Sequence, residues 1–133
     1  MNNNMDVLKK WSEKFFGMGY APTFYEEDGE LIEQLDCIID GVNFGIGPDD
    51  EEDALWFSII FEPERDIDAD EMAKICSLNK GVFEDVIDAG DGTVHVLVKT
   101  DLDVSLDFAN EIIASIKDEN GVVQYLKSIS YVW

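Results

Sequence analysis

The stretch LIEQLDCIIDGVNFGIG, residues 31–47, constrains the fold of this chain more tightly than any other. Apolar residues alternate on both sides of Asp40-Gly41. That dipeptide is a two-residue hairpin signal, because glycine accepts the positive φ that a type I′ turn requires. Folding the chain there sets Ile39 against Val42, Cys37 against Phe44 and Leu35 against Ile46, all on one face. The opposite face carries Ile38, Asn43, Asp36 and Gly45 and is mostly polar. A slip of one residue would turn every apolar side chain to water, so turn and alternation specify one register.

The same logic extends along the chain. ALWFSIIFE, residues 54–62, puts Leu55, Phe57, Ile59 and Phe61 on one side and Trp56, Ser58, Ile60 and Glu62 on the other. Both sides are partly apolar, which suits a central strand or a strand with one face turned to a partner. Before the hairpin, TFYEEDGEL holds a second turn signal at Asp28-Gly29 and reads equally as an irregular first strand or as a loop. VFEDVIDA and TVHVLVKT form another hairpin around Gly90-Asp91. A two-residue turn there pairs Ile87 with Val94 and Phe83 with Val98, and sets Asp85 against Val96.

Helical periodicity marks the remainder. Val7, Leu8, Trp11 and Phe15 form one stripe over residues 5–16, and Gly17, Gly19 and Pro22 end it. A middle helix is expected over about Ala69–Lys80, with Met72, Ile75 and Cys76 inward and Gly81 beyond its end. A last helix begins near Ser105, with Leu106, Ala109, Ile112, Ile113 and Ile116 on one face. Asn120-Gly121 breaks that pattern. VVQYLKSI is expected to add a further turn or two, packing Val122 and Leu126. The order is helix, three-stranded meander, helix, hairpin, helix: a single α+β domain over residues 1–133, with an antiparallel sheet and segregated helices.

Charge bounds the function. Thirty acidic residues against nine basic give −21. Such a chain repels phosphate backbones and anionic bilayers, so neither nucleic acid nor membrane is an expected partner. Its field instead favours encounter with a basic protein, or simply keeps the protein soluble. MNNNMDVLKK lacks the apolar core of a secretory signal. With only Cys37 and Cys76, both on expected core faces, the reading is a cytoplasmic protein with free thiols.

The motifs that suggest chemistry weaken on inspection. Asp66, Asp68 and Asp70 open like a calcium loop, but position 6 is Glu71 where glycine is needed, and position 12 is Ser77 where a bidentate glutamate is needed. Asp68 with Glu71 reads better as an acidic capping box. The run DDEED, residues 49–53, reads as a solvated loop. His95 is the one histidine, and neither cysteine stands at zinc-ligand spacing from it. No phosphate-binding glycine loop and no nucleophile elbow is present, so no cofactor and no catalytic residue is assigned. On the far side of the sheet, Trp56 and Ile60, with Ile38, Val86 and Leu97 as neighbours, form a candidate protein-interaction patch. The alternative is that the middle helix or the tail covers it.

This order of elements resembles the YbjN-type family of bacterial sensory-transduction regulators, and is similar to the type III secretion chaperone fold, α-β-β-β-α-β-β-α. EEDGELIEQLDCIIDGVNFGIG looks like the family's acidic-glycine turn and strand pair. MAKICSLNKGVFEDVIDAGDGTVHVLVKTDLD looks like its middle helix, hairpin and acidic approach to the last helix. The resemblance covers roughly residues 5–118 and leaves the tail, 119–133, unexplained. It implies a non-enzymatic regulator or chaperone-like adaptor, often dimeric, with a protein or peptide partner. An acidic immunity protein that neutralises a basic toxin is the alternative. A divalent-cation sensor or a carboxylate-based enzyme stands behind both.

Overall fold

The structure is a computed structural model and describes residues 4–49 and 51–131. It begins with helix α1 (Asn4–Gly17), followed by strands β1 (Thr23–Glu27), β2 (Glu30–Ile39), β3 (Val42–Pro48) and β4 (Ala54–Phe61). Helix α2 (Ala69–Cys76), the hairpin β5 (Asp85–Asp88) and β6 (Val94–Asp101), and helices α3 (Phe108–Lys117) and α4 (Val122–Ile129) complete it. The six strands make one antiparallel sheet in the order β1-β2-β3-β4-β6-β5. The expected α+β order holds, with β1 and α4 added as full elements.

The two Asp-Gly turns set the first half of the sheet. Asp40 and Gly41 both take positive φ, 52° and 76°, and the β2–β3 register is the expected one: Ile39 with Val42, Cys37 with Phe44, Leu35 with Ile46. Asp28 and Gly29 repeat the geometry at 53° and 81°, which makes TFYEE a paired strand with a bulge between Phe24 and Glu26. The alternation in β4 then buries Leu55, Phe57, Ile59 and Phe61.

All four helices contribute to one apolar cluster on one face of the sheet: Leu8, Trp11 and Phe15 from α1, Ile75 from α2, Ile112 and Ile116 from α3, Val123 and Leu126 from α4. Phe57 sits at its centre. Trp11 meets it edge-on at 5.1 Å, Phe108 edge-on at 5.5 Å, and Phe44 lies stacked 6.1 Å away. Such ring pairs add about 0.5–1.5 kcal/mol each beyond the area they bury.

Four sequence expectations are corrected. The β5–β6 register is shifted by one residue, so Val86 pairs with Val96 and Ile87 with His95. The reason is a longer loop: Gly90 and Gly92 both take positive φ, and the Ala89 amide bonds to the Thr93 carbonyl at 3.0 Å. Helix α2 ends at Cys76, four residues early, because the chain turns to bring Asn79 beside Gly121, where the Asn79 carbonyl accepts the Val122 amide at 2.8 Å. The capping box is half made. Asp68 accepts the Glu71 amide at 2.8 Å, but the Glu71 side chain turns away to Arg65 and Tyr125. Finally, Ser105 accepts the Asp107 amide in a turn that precedes α3, and the helix proper starts at Phe108.

Candidate functional site

The face of the sheet opposite the helices is uncovered among the described residues, and its side chains follow from the strand parity. One row across the strands carries Ile38 paired with Asn43, Ile60 paired with His95, and Ile87 paired with the same His95. The three isoleucines are 62%, 48% and 47% exposed, far more than a core strand tolerates. With strands about 4.8 Å apart, Ile38 and Ile60 stand about 10 Å from one another. The neighbouring row contains Asp36 paired with Gly45, and Leu97 flanked by Ser58 and Asp85.

Asp36 is the polar centre of this face. The Tyr25 hydroxyl donates to its Oδ2 at 2.6 Å and the Gln34 amide donates to its Oδ1 at 2.9 Å. The hydrogen bond to Asp36 holds the Tyr25 phenol above its ordinary value. Gln34 lies flat across β3, and two glycines make that possible: a Cβ on Gly45 or on Gly47 would come within 2.7 Å of the Gln34 amide. Gln34, Asp36, Asn43, Gly45, Ser58 and Ile60 line a depression of about 470 Å³. A second depression, about 360 Å³, adjoins it through Asp36 and Asn43 and is bounded by Tyr25 and Ile38.

Trp56 closes one end of the face and is fixed in place. Its Nε1 donates to Asp49 at 2.9 Å, and Lys99 lies over its ring at 5.5 Å while bonding Glu52 at 2.7 Å. Asp49 is held below the ordinary carboxylate range, first by the Glu51 amide and then by Trp56. The acidic run therefore does structural work at Asp49, where Glu51 and Glu52 amides both cap onto its carboxylate.

Of the expected interaction residues, Trp56, Ile60 and Leu97 share this outer face with Ile38. Val86 does not. The shifted register puts it opposite Val96, on the core side, where it packs against the buried cluster. Ile87 takes its place outside. The second glycine at position 92 was the signal for that shift. Tyr25, which with Gln34 shapes the Asp36 site, lies on β1, where the sequence has no clear alternation.

The residues of the chemical motifs scatter. Asp68 caps α2, and Asp66 and Asp70 carry no bond to it. Among the described residues no group of three His, Cys, Asp or Glu is placed to hold a metal ion. His95 faces Thr93 Oγ1 at 3.0 Å. Burial pushes the Cys37 thiol up to about 11, far from a reactive thiolate at neutral pH. No described helix is long and apolar enough to cross a membrane.

These features define a two-layer α+β protein with helices on one side of a six-stranded antiparallel sheet and an open, partly apolar face on the other. Among solved structures, it is similar to a chain of the HopA1–SchA chaperone–effector complex, with a TM-score of 0.57 at 13% identity over 96% of this chain and 94% of that one. The fold is thus chaperone-like. No protein-family profile matches the chain, and no curated protein does.

Proposed function

We propose that this chain is a non-enzymatic protein-binding module, a chaperone-like adaptor or a YbjN-like regulator, which docks a protein or peptide on the outer sheet face. The observation that carries the reading is the exposed row Ile38, Ile60 and Ile87, with Leu97 and Trp56 on the same face and no element packed on it among the described residues. Isoleucines this exposed, spaced by Asn43 and His95 across one sheet face, suit a mixed apolar and polar protein interface. The solved complex with the same fold pairs a chaperone with an effector, which supports a protein partner.

Magnitudes say what else the partner must supply. Completing the burial of a half-exposed isoleucine contributes on the order of 1 kcal/mol. Three of them fall short of the roughly 4–15 kcal/mol lost in association. Polar or ionic contacts must contribute the balance. An acidic immunity protein meeting a basic toxin is the second reading, favoured by the net charge of −21.

The test uses the gene neighbourhood to choose a partner, coexpressed with the tagged chain. Ile38→Ser/Ile60→Ser, confirmed folded by its melting curve, is expected to lose that partner. Undiminished copurification with the double variant would move the docking site elsewhere.

A further inference from the structure

We propose that the well beside Asp36 seats a lysine or arginine side chain from a basic, aliphatic-bearing segment of another protein; this rests on the outer face being the docking surface. Asp36 is presented for such a contact. One oxygen receives Tyr25 and the other Gln34. An ionised carboxylate has about four acceptor sites, so about two stay available. Both bonds come from neutral groups, and they fix the carboxylate in one orientation before any ligand arrives. The three ion pairs among the described residues are Arg65–Glu71, Lys99–Glu52 and Lys127–Asp40, and none engages Asp36.

The walls suit the same guest. The Gln34 amide, laid over Gly45, forms part of the floor of the well, above which about 470 Å³ stays open. Ile60 lines that well and Ile38 the adjoining one. A long cationic side chain lays its methylene stem on apolar surface and holds its head at the carboxylate. Neighbouring aliphatic residues of the same segment would cover Ile38 and Ile60, about 10 Å apart. Charge selects the occupant. Thirty acidic residues against nine basic attract a cationic segment, and they oppose an acidic one or a second copy of this chain.

The experiment titrates the full chain into two labelled peptides of one apolar pattern, lysine–leucine and glutamine–leucine, and reads fluorescence anisotropy. The lysine peptide is expected to bind about tenfold tighter, with Asp36→Asn removing most of that advantage. Glu13→Gln, an equal charge loss on α1, is expected to change affinity less than about twofold. Amide resonances of Gly45 and Ser58 should move on binding. Equal weakening by Asp36→Asn and Glu13→Gln would assign the attraction to the overall field and overturn the well. So would resonance changes confined to the helices, or no binding of the lysine peptide. Equal affinity for both peptides, abolished by Ile38→Ser/Ile60→Ser, would overturn the cation seat while leaving the docking face standing.

Discussion

Ser115 occupies the space that a side chain on Gly81 would need. A Cβ built on Gly81 lies 2.1 Å from Ser115 Oγ and 2.6 Å from its Cβ. In that position the Ser115 hydroxyl accepts the Val82 amide at 3.0 Å and donates to the Glu111 carbonyl at 2.8 Å. The contact ties the loop after α2 to the last turn of α3. Gly81 also has φ of +59°, in the left-handed region that is unfavourable for a residue such as alanine.

Gly81→Ala is therefore expected to destabilise the protein by about 2 kcal/mol or more, from left-handed strain and steric overlap together. Ser115→Gly should recover part of that loss in the double variant, although it is destabilising alone. Urea titration of the four proteins checks this, and simple additivity would separate the two residues.

Glu71 is expected to contribute to acid sensitivity. It accepts hydrogen bonds from both Arg65 guanidinium nitrogens and from the Tyr125 hydroxyl at 2.9 Å, joining the loop before α2 to α4. The Arg65 bonds first, then Tyr125, hold its carboxyl below the ordinary range. A carboxylate with a lowered folded pKa contributes stability that is complete above its unfolded value and is lost as pH falls through the folded one. Glu71→Gln should thus show a shallower decline in Tm than the parent from about pH 5 downward. Parallel declines would locate acid sensitivity elsewhere.

Leu126 and Ser130 make opposite predictions within one short segment. Leu126 is fully buried, and Leu126→Ala should cost about 2–5 kcal/mol. Ser130 is buried and its hydroxyl has no partner among the described residues, so Ser130→Ala should be neutral or stabilising. Thermal melts compare them. A mild Leu126→Ala would mean that α4 docks loosely.

Asp49 anchors Trp56. Asp49→Ala should free the indole, so that acrylamide quenches more of the tryptophan emission while Trp11, 1% exposed, stays shielded. Unchanged quenching would show that Lys99 and Glu52 alone hold the ring.

What the sequence made legible tracks how local the cause is. Asp40-Gly41 sits between two strands with clean alternation, so turn and pattern agree and the register follows. Around Gly90 the signals conflict. VFEDVIDA has an aspartate on each parity, and the loop length is decided by Gly92, one residue beyond the obvious turn. That single residue moved Val86 inside and Ile87 outside. Glu71 looked like a capping partner because its spacing is local, but Arg65 and Tyr125 outcompete the backbone from 6 and 54 residues away. The Asp36 site depends on Tyr25, 11 residues distant, and on glycines whose importance lies in what lies over them.

The separation of core from outer face has a consequence for how such a protein changes over generations. Packing against the helices fixes Leu35, Cys37 and Ile39 of β2 and the odd-numbered positions of β4, whereas Asp36, Ile38 and Ile60 lie outside that core. Substitutions there alter what the surface meets with little effect on whether the chain folds. A lineage of such proteins could acquire new partners one residue at a time on a scaffold that stays the same. Sequence similarity would then fade fastest at the positions that matter most to each partner.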